Sequence, residues 1–138
     1  MSVEKDQVSQ SFGRCCLSAG FFDDFYDGFF QSSPRVRDKF RNTNMAKQKS
    51  LLREGITFMI MFYDGSSVAG SKVKRLADSH SQGKLGIEPD LYKFWLDSLM
   101  KVVAKHDPKF TPQLDRVWRT VMGKGIAAIS GGYARSVA

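Results

Sequence analysis

His80 is one of only two histidines in a chain of 138 residues. It closes a short amphipathic segment, SKVKRLADSHSQGKLGI, that follows a very apolar one, LLREGITFMIMFY. An imidazole on the apolar face of a short helix has two common uses. It is an ordinary core or surface side chain, or it holds a haem iron by one axial nitrogen. The second use needs a flat apolar slot around the metal, and 11 phenylalanines supply ample aromatic surface either for such a slot or for a plain core.

Other chemistries find less support in the residue types and spacings. Cys15 and Cys16 are neighbours, and a bridge between adjacent helical residues would be badly strained. Their spacing suits neither a zinc site nor c-type haem attachment, so they read as reduced core or half-core thiols. The sequence shows no Ser/His/Asp or Cys/His arrangement for a hydrolase, and no paired histidines or carboxylates for a dinuclear metal. It also lacks a GxGxxG strand-turn-helix, so no dinucleotide site is expected.

The length predicts one domain over residues 1–138, large enough for a core without disulfides or structural metal. A formal charge of +7 could suit nucleic acid or an anionic membrane. Yet basic and acidic residues alternate, as in RVRDKFR and KVKRLAD, which predicts a solvated basic surface with neither nucleic acid nor membrane as partner. Some of these cations could meet two propionates. No run of about 18 apolar residues exists, and MSVEKDQVSQ lacks the basic-then-apolar order of a secretory signal. A cytoplasmic protein is expected.

Apolar residues recur at helical spacing and almost nowhere at strand spacing. The pattern predicts helices over about 7–18, 22–31, 34–39, 45–63, 72–79 and 89–105, with a last helix opening at Thr111 and Pro112 and carrying apolar residues to Ile129. Residues 64–70 and 83–86 read as loop and turn, and Tyr133 to Ala138 as frayed. Gly123 and Gly125 weaken the last helix by roughly 1 kcal/mol each unless something packs closely on them. Seven helices without a strand make an all-α domain.

The strings FYDGFFQSSPRVRDKF, QKSLL, LADSHS, PDLYKFWLDSL and VWRTVMGKGI, in this order and spacing, resemble a bacterial single-domain globin. The similarity runs over roughly residues 10 to 130 and is greatest to sensor-type globins and the haem domain of flavohaemoglobins. The resemblance implies a globin fold of about seven helices around one b-type haem (iron protoporphyrin IX). It assigns His80 as the proximal metal ligand through Nε2, with Nδ1–H reaching a main-chain carbonyl near Leu76. Phe40 matches the phenylalanine wedged against the porphyrin. Tyr26 matches the distal tyrosine of the second helix, Gln48 a second distal donor, and Leu52 the apolar lid one turn later.

Tyr92 resembles the tyrosine that, with a glutamate of the last helix, backs the proximal histidine in flavohaemoglobins. After Asp115, however, the chain has no acid, so peroxidase-like activation of His80 is not expected. His106 should lie far from the iron. The resemblance implies a diatomic gas ligand (O2, NO or CO) bound reversibly at ferrous haem. It leaves open nitric oxide dioxygenation with an external reductase, a gas sensor working through a homodimer, and, without haem, a basic helical nucleic-acid binder.

Overall fold

The computed structural model describes residues 2–133, and these form seven helices with no strand among them. They are α1 (Val3–Leu17), α2 (Phe21–Ser32), α3 (Pro34–Lys39), α4 (Met45–Tyr63), α5 (Ser67–Ser79), α6 (Leu91–His106) and α7 (Pro112–Ser130). No described helix is long and apolar enough to cross a membrane.

Side-chain caps set most of the starts. Ser33 accepts from the N–H of Arg35 ahead of Pro34, and Thr111 accepts from Leu114 ahead of Pro112. In both cases a hydroxyl satisfies an N–H that the helix cannot, and proline occupies a position whose N–H is not needed. Two starts differ from the sequence pattern for the same reason. Ser2 caps α1 through Lys5 N–H, and the acids Glu4 and Asp6 favour the first turn, so the helix begins at Val3 rather than near residue 7. Ser66 caps α5 through Ala69 N–H, so most of the stretch expected as a loop is helix.

The buried face of α5 explains why that earlier start holds. Ala69, Val73 and Ala77, spaced four apart, are all buried, and small side chains let α5 pack closely on α4 and α7. By contrast α6 starts two residues later than expected, at Leu91, because Pro89 and Asp90 fall in the preceding turn. Tyr133 is not loose: its carbonyl accepts from Gln82 N–H at 2.8 Å, tying the end of the fold to the loop after His80. Residues 134–138 lie outside the described part.

The core is shared by α2 on α6, α4 on α7 and α1 on α7, and Trp118, Phe21, Phe25, Ile56 and Leu99 are its largest fully buried side chains. Gly125 marks a close α4–α7 approach. A β-carbon there would lie 2.9 Å from Met59 Cε, whereas one at Gly123 would meet nothing within 4 Å. Of the two glycines that weaken α7, only Gly125 is required by packing.

A buried polar cluster pins α1 to the α6–α7 corner. Asp107, 3% exposed, accepts from Ser11 Oγ (2.6 Å) and from Arg14 at Nε (2.6 Å) and Nη2 (3.0 Å). Trp118 Nε1 donates to Ser11 Oγ at 2.9 Å. Cys15 is buried and free, its thiol pushed up to about 12 chiefly by burial, which leaves it protonated; Cys16 is half-buried and free.

Candidate functional site

His80 is the residue at which α5 ends. Its own N–H donates to Leu76 O at 3.0 Å, and its ring Nδ1 lies 2.8 Å from the same oxygen. A carbonyl can only accept, so Nδ1 carries the proton. Ser79 Oγ donates to Leu76 O at 3.1 Å and therefore turns a lone pair towards Nδ1, also 3.1 Å away. The free lone pair of the ring is thus on Nε2. Burial lowers the His80 pKa more than the Leu76 bond raises it, which favours the neutral ring that a metal requires.

Helices α4 and α5 form a hairpin across a short turn. From Gln48 to the end of α4 is about 22 Å, and from the start of α5 to His80 about 20 Å, at the helical rise per residue. The two helices pack on each other. Tyr26, buried on α2, meets the start of α4: its hydroxyl donates to the main-chain oxygen of Gln48 at 3.4 Å. That is long for an O–H···O bond and correspondingly weak. Burial pushes the Tyr26 phenol up to about 12, the Gln48 bond opposing, so it remains a donor at neutral pH.

Phe40 ends α3, and its ring packs against Tyr26 (5.8 Å between centroids), Phe29 (6.0 Å) and Phe30 (5.4 Å). Leu52, one turn beyond Gln48, is buried. Three of the residues singled out by sequence, Tyr26, Phe40 and Gln48, thus meet at one corner made by α2, α3 and the start of α4, with Leu52 one turn further along α4; His80 closes α5.

A globin family model matches residues 23–129. The chain belongs to the globin family. It is also similar to a crystal structure of a protein from Pseudomonas aeruginosa PAO1 described as structurally highly homologous to a human haemoglobin. The two share 49% identity and a TM-score of 0.92, over 95% of this chain and 98% of that one. None of the curated proteins matches. Globins hold haem and take up a diatomic gas such as oxygen at its iron, and that general activity extends to this bacterial-type globin.

Whether the side chains fit a haem is a question of donors. The globin offers one neutral, half-buried imidazole with its lone pair on Nε2, an aromatic and an aliphatic side chain in Phe40 and Leu52, and a protonated phenol in Tyr26. Those groups fit. Tyr92, near the start of α6, is half-buried, and its hydroxyl is the one buried side-chain polar atom without a partner among the described residues. Beyond Asp115, which pairs with Arg119, α7 has no carboxylate to meet it.

Two surface clefts, of about 340 Å³ each, lie elsewhere on the globin: one on the outer side of α4 between Ser50 and Phe58, the other between α6 and α7 around Tyr92 and Gly123. Neither includes His80, Tyr26 or Gln48.

Sequence spacing missed two arrangements. Ser79, the second polar partner of His80, is a common residue in a run rich in serine. Ser18, His106 and Asp24 also meet. His106 Nδ1 is 2.7 Å from Ser18 Oγ, and its Nε2 is 2.7 Å from Asp24 Oδ2, which Lys105 also pairs. Their separations of 88 and 82 residues hide the cluster from local pattern. It ties the α1–α2 corner to the end of α6, and neither cleft reaches it.

Proposed function

We propose that this globin holds a b-type haem through His80 Nε2 and binds dioxygen or another diatomic gas on the opposite face, beneath Tyr26 and Gln48. The Nδ1–Leu76 bond carries the reading, because it fixes the tautomer and aims the other nitrogen away from the helix. The haem supplies the iron to which the gas binds. Phe40 and Leu52 would wall the cofactor and exclude water, and Tyr92 would pack on its proximal side.

Tyr26 has a particular part. Its long bond to Gln48 O is readily exchanged for a bond to a distal ligand carrying partial negative charge, and the local low dielectric strengthens that bond. A net gain of about 1.5 kcal/mol corresponds to roughly tenfold in affinity. Gln48, half-buried, can provide a second donor. Slow release suits scavenging, sensing or oxidation chemistry better than bulk delivery.

The same site serves nitric oxide dioxygenation when a separate reductase restores ferrous iron. Stopped-flow mixing of the oxygenated globin with nitric oxide, with and without a reductase, separates the uses. Rapid stoichiometric nitrate formation that becomes catalytic with reductase supports the enzyme; no nitrate leaves the reversible binder. Loss of the carbonyl spectrum altogether would contradict both. A ligand-dependent change in sedimentation would point instead to a homodimeric sensor.

A further inference from the structure

The positive charge of the chain is unevenly placed. Residues 34–53, covering α3 and the first half of α4, contain seven Lys and Arg against the single acid Asp38, whereas residues 1–33 have five acids against Lys5 and Arg14. This basic stretch is the one that carries Phe40, Gln48 and Leu52. It also reaches the proximal side: Lys39 Nζ donates to Gly86 O at 2.8 Å, and Arg35 forks onto Asp90 and Glu88. Both acceptor segments belong to the loop that follows His80.

Those contacts occupy Arg35 and Lys39 at the edge, while Arg37, Arg41 and Lys47 are exposed; Arg41 pairs with Asp38 at 2.8 Å yet keeps 74% of its side chain in solvent. Leu51 is one of only five large exposed apolar residues among the described ones, at 47%, and lies one turn from Lys47 on α4. An apolar contact beside cations is the composition of a docking site with a dry centre and a polar rim. The acids interspersed at Asp38, Glu88 and Asp90 break the row of cations that a phosphate backbone would need. A carboxylate-rich protein face suits this mixture better.

We infer that the α3–α4 surface around Arg37, Arg41, Lys47 and Leu51 docks an acidic electron-donor protein. The inference rests on the proposed haem function, since iron oxidised in either use of the site must regain an electron. In the step, the donor's reduced flavin or iron–sulfur centre loses one electron and ferric haem gains it; no bond forms or breaks. Electrostatic complementarity speeds the encounter, and the gain falls with salt over a Debye length of about 10 Å at 0.1 M.

The test uses the haem-loaded protein and a photoreduced, strongly acidic flavodoxin as the probe, with the neutral lumiflavin semiquinone as a small-molecule reductant. The triple variant Arg37→Glu, Arg41→Glu, Lys47→Glu should be reduced by flavodoxin at least about tenfold more slowly at low salt and lose most of its salt dependence. Lumiflavin should reduce variant and parent equally. In the 15N-labelled parent, oxidised flavodoxin should shift amides between residues 35 and 51.

The inference is overturned if the control triple Lys101→Glu, Lys109→Glu, Arg116→Glu, on the α6–α7 side, slows flavodoxin as much, which would show net charge alone. It is equally overturned if the first triple changes nothing, or if the amide shifts fall elsewhere. Duplex DNA shifting the 35–51 amides while flavodoxin does not would make the surface a nucleic-acid site. If the protein holds no haem, the proposed function fails, and the amide map still decides the docking.

Discussion

The oxygen of Leu76 lies 2.8 Å from Nδ1 of His80, and it also accepts from the His80 N–H and the Ser79 hydroxyl. Three donors converge on this one carbonyl in the last turn of α5. The helix end thus does two jobs: it satisfies an orphan acceptor, and it sets the orientation and tautomer of the imidazole. Every functional expectation for the distal corner depends on that orientation.

Replacing Tyr26 by Phe removes the distal phenol and only a 3.4 Å bond to Gln48. Folding stability should drop by less than about 1 kcal/mol, while dioxygen dissociation should speed roughly tenfold. Flash photolysis and stopped-flow measure the rate, and urea unfolding the stability. An unchanged off-rate would remove Tyr26 from the distal site.

The two glycines of α7 should respond with opposite signs. Gly123→Ala adds a methyl that meets nothing within 4 Å and should stabilise by about 0.5–1 kcal/mol through helix propensity. At Gly125 the same methyl comes within 2.9 Å of Met59 Cε and 3.3 Å of Met59 Cβ, so Gly125→Ala should destabilise. Denaturant midpoints at unchanged slope provide the comparison.

Acid should weaken the fold through Asp107. Burial alone would raise its pKa, but bonds from Arg14, Ser11 and the Lys109 N–H together hold it below the ordinary carboxylate value. A folded pKa below the unfolded one contributes stability that is complete above about pH 4 and lost as pH falls through the folded pKa. Asp107→Asn should flatten that acid limb, and Asp107→Ala should cost about 2–3 kcal/mol at neutral pH. Unfolding free energies measured from pH 2 to 7 test both.

What was legible in the chain was what depends on local pattern. Helical periodicity gave the seven helices, Pro34 and Pro112 marked two starts, and the order of strings around His80 gave the family. The boundaries that slipped were those set by a serine cap: Ser2 and Ser66 look like many other serines until their hydroxyls are seen on an N–H three residues on. Contacts between distant segments were not legible at all. The meeting of Ser11, Arg14 and Asp107, or of Ser18, Asp24 and His106, depends on how helices cross. Gly125 could be flagged as costly in sequence, but only Met59 across the α4–α7 contact says why it is there.

The most direct test of the proximal assignment is the resonance Raman spectrum of the ferrous, gas-free protein. With only two histidines in the chain, 15N-histidine labelling is nearly site-specific. An iron–nitrogen stretching band should appear that shifts on labelling, vanishes in His80→Gly and returns when free imidazole is added. A band that persists unchanged in His80→Gly without imidazole would contradict the assignment.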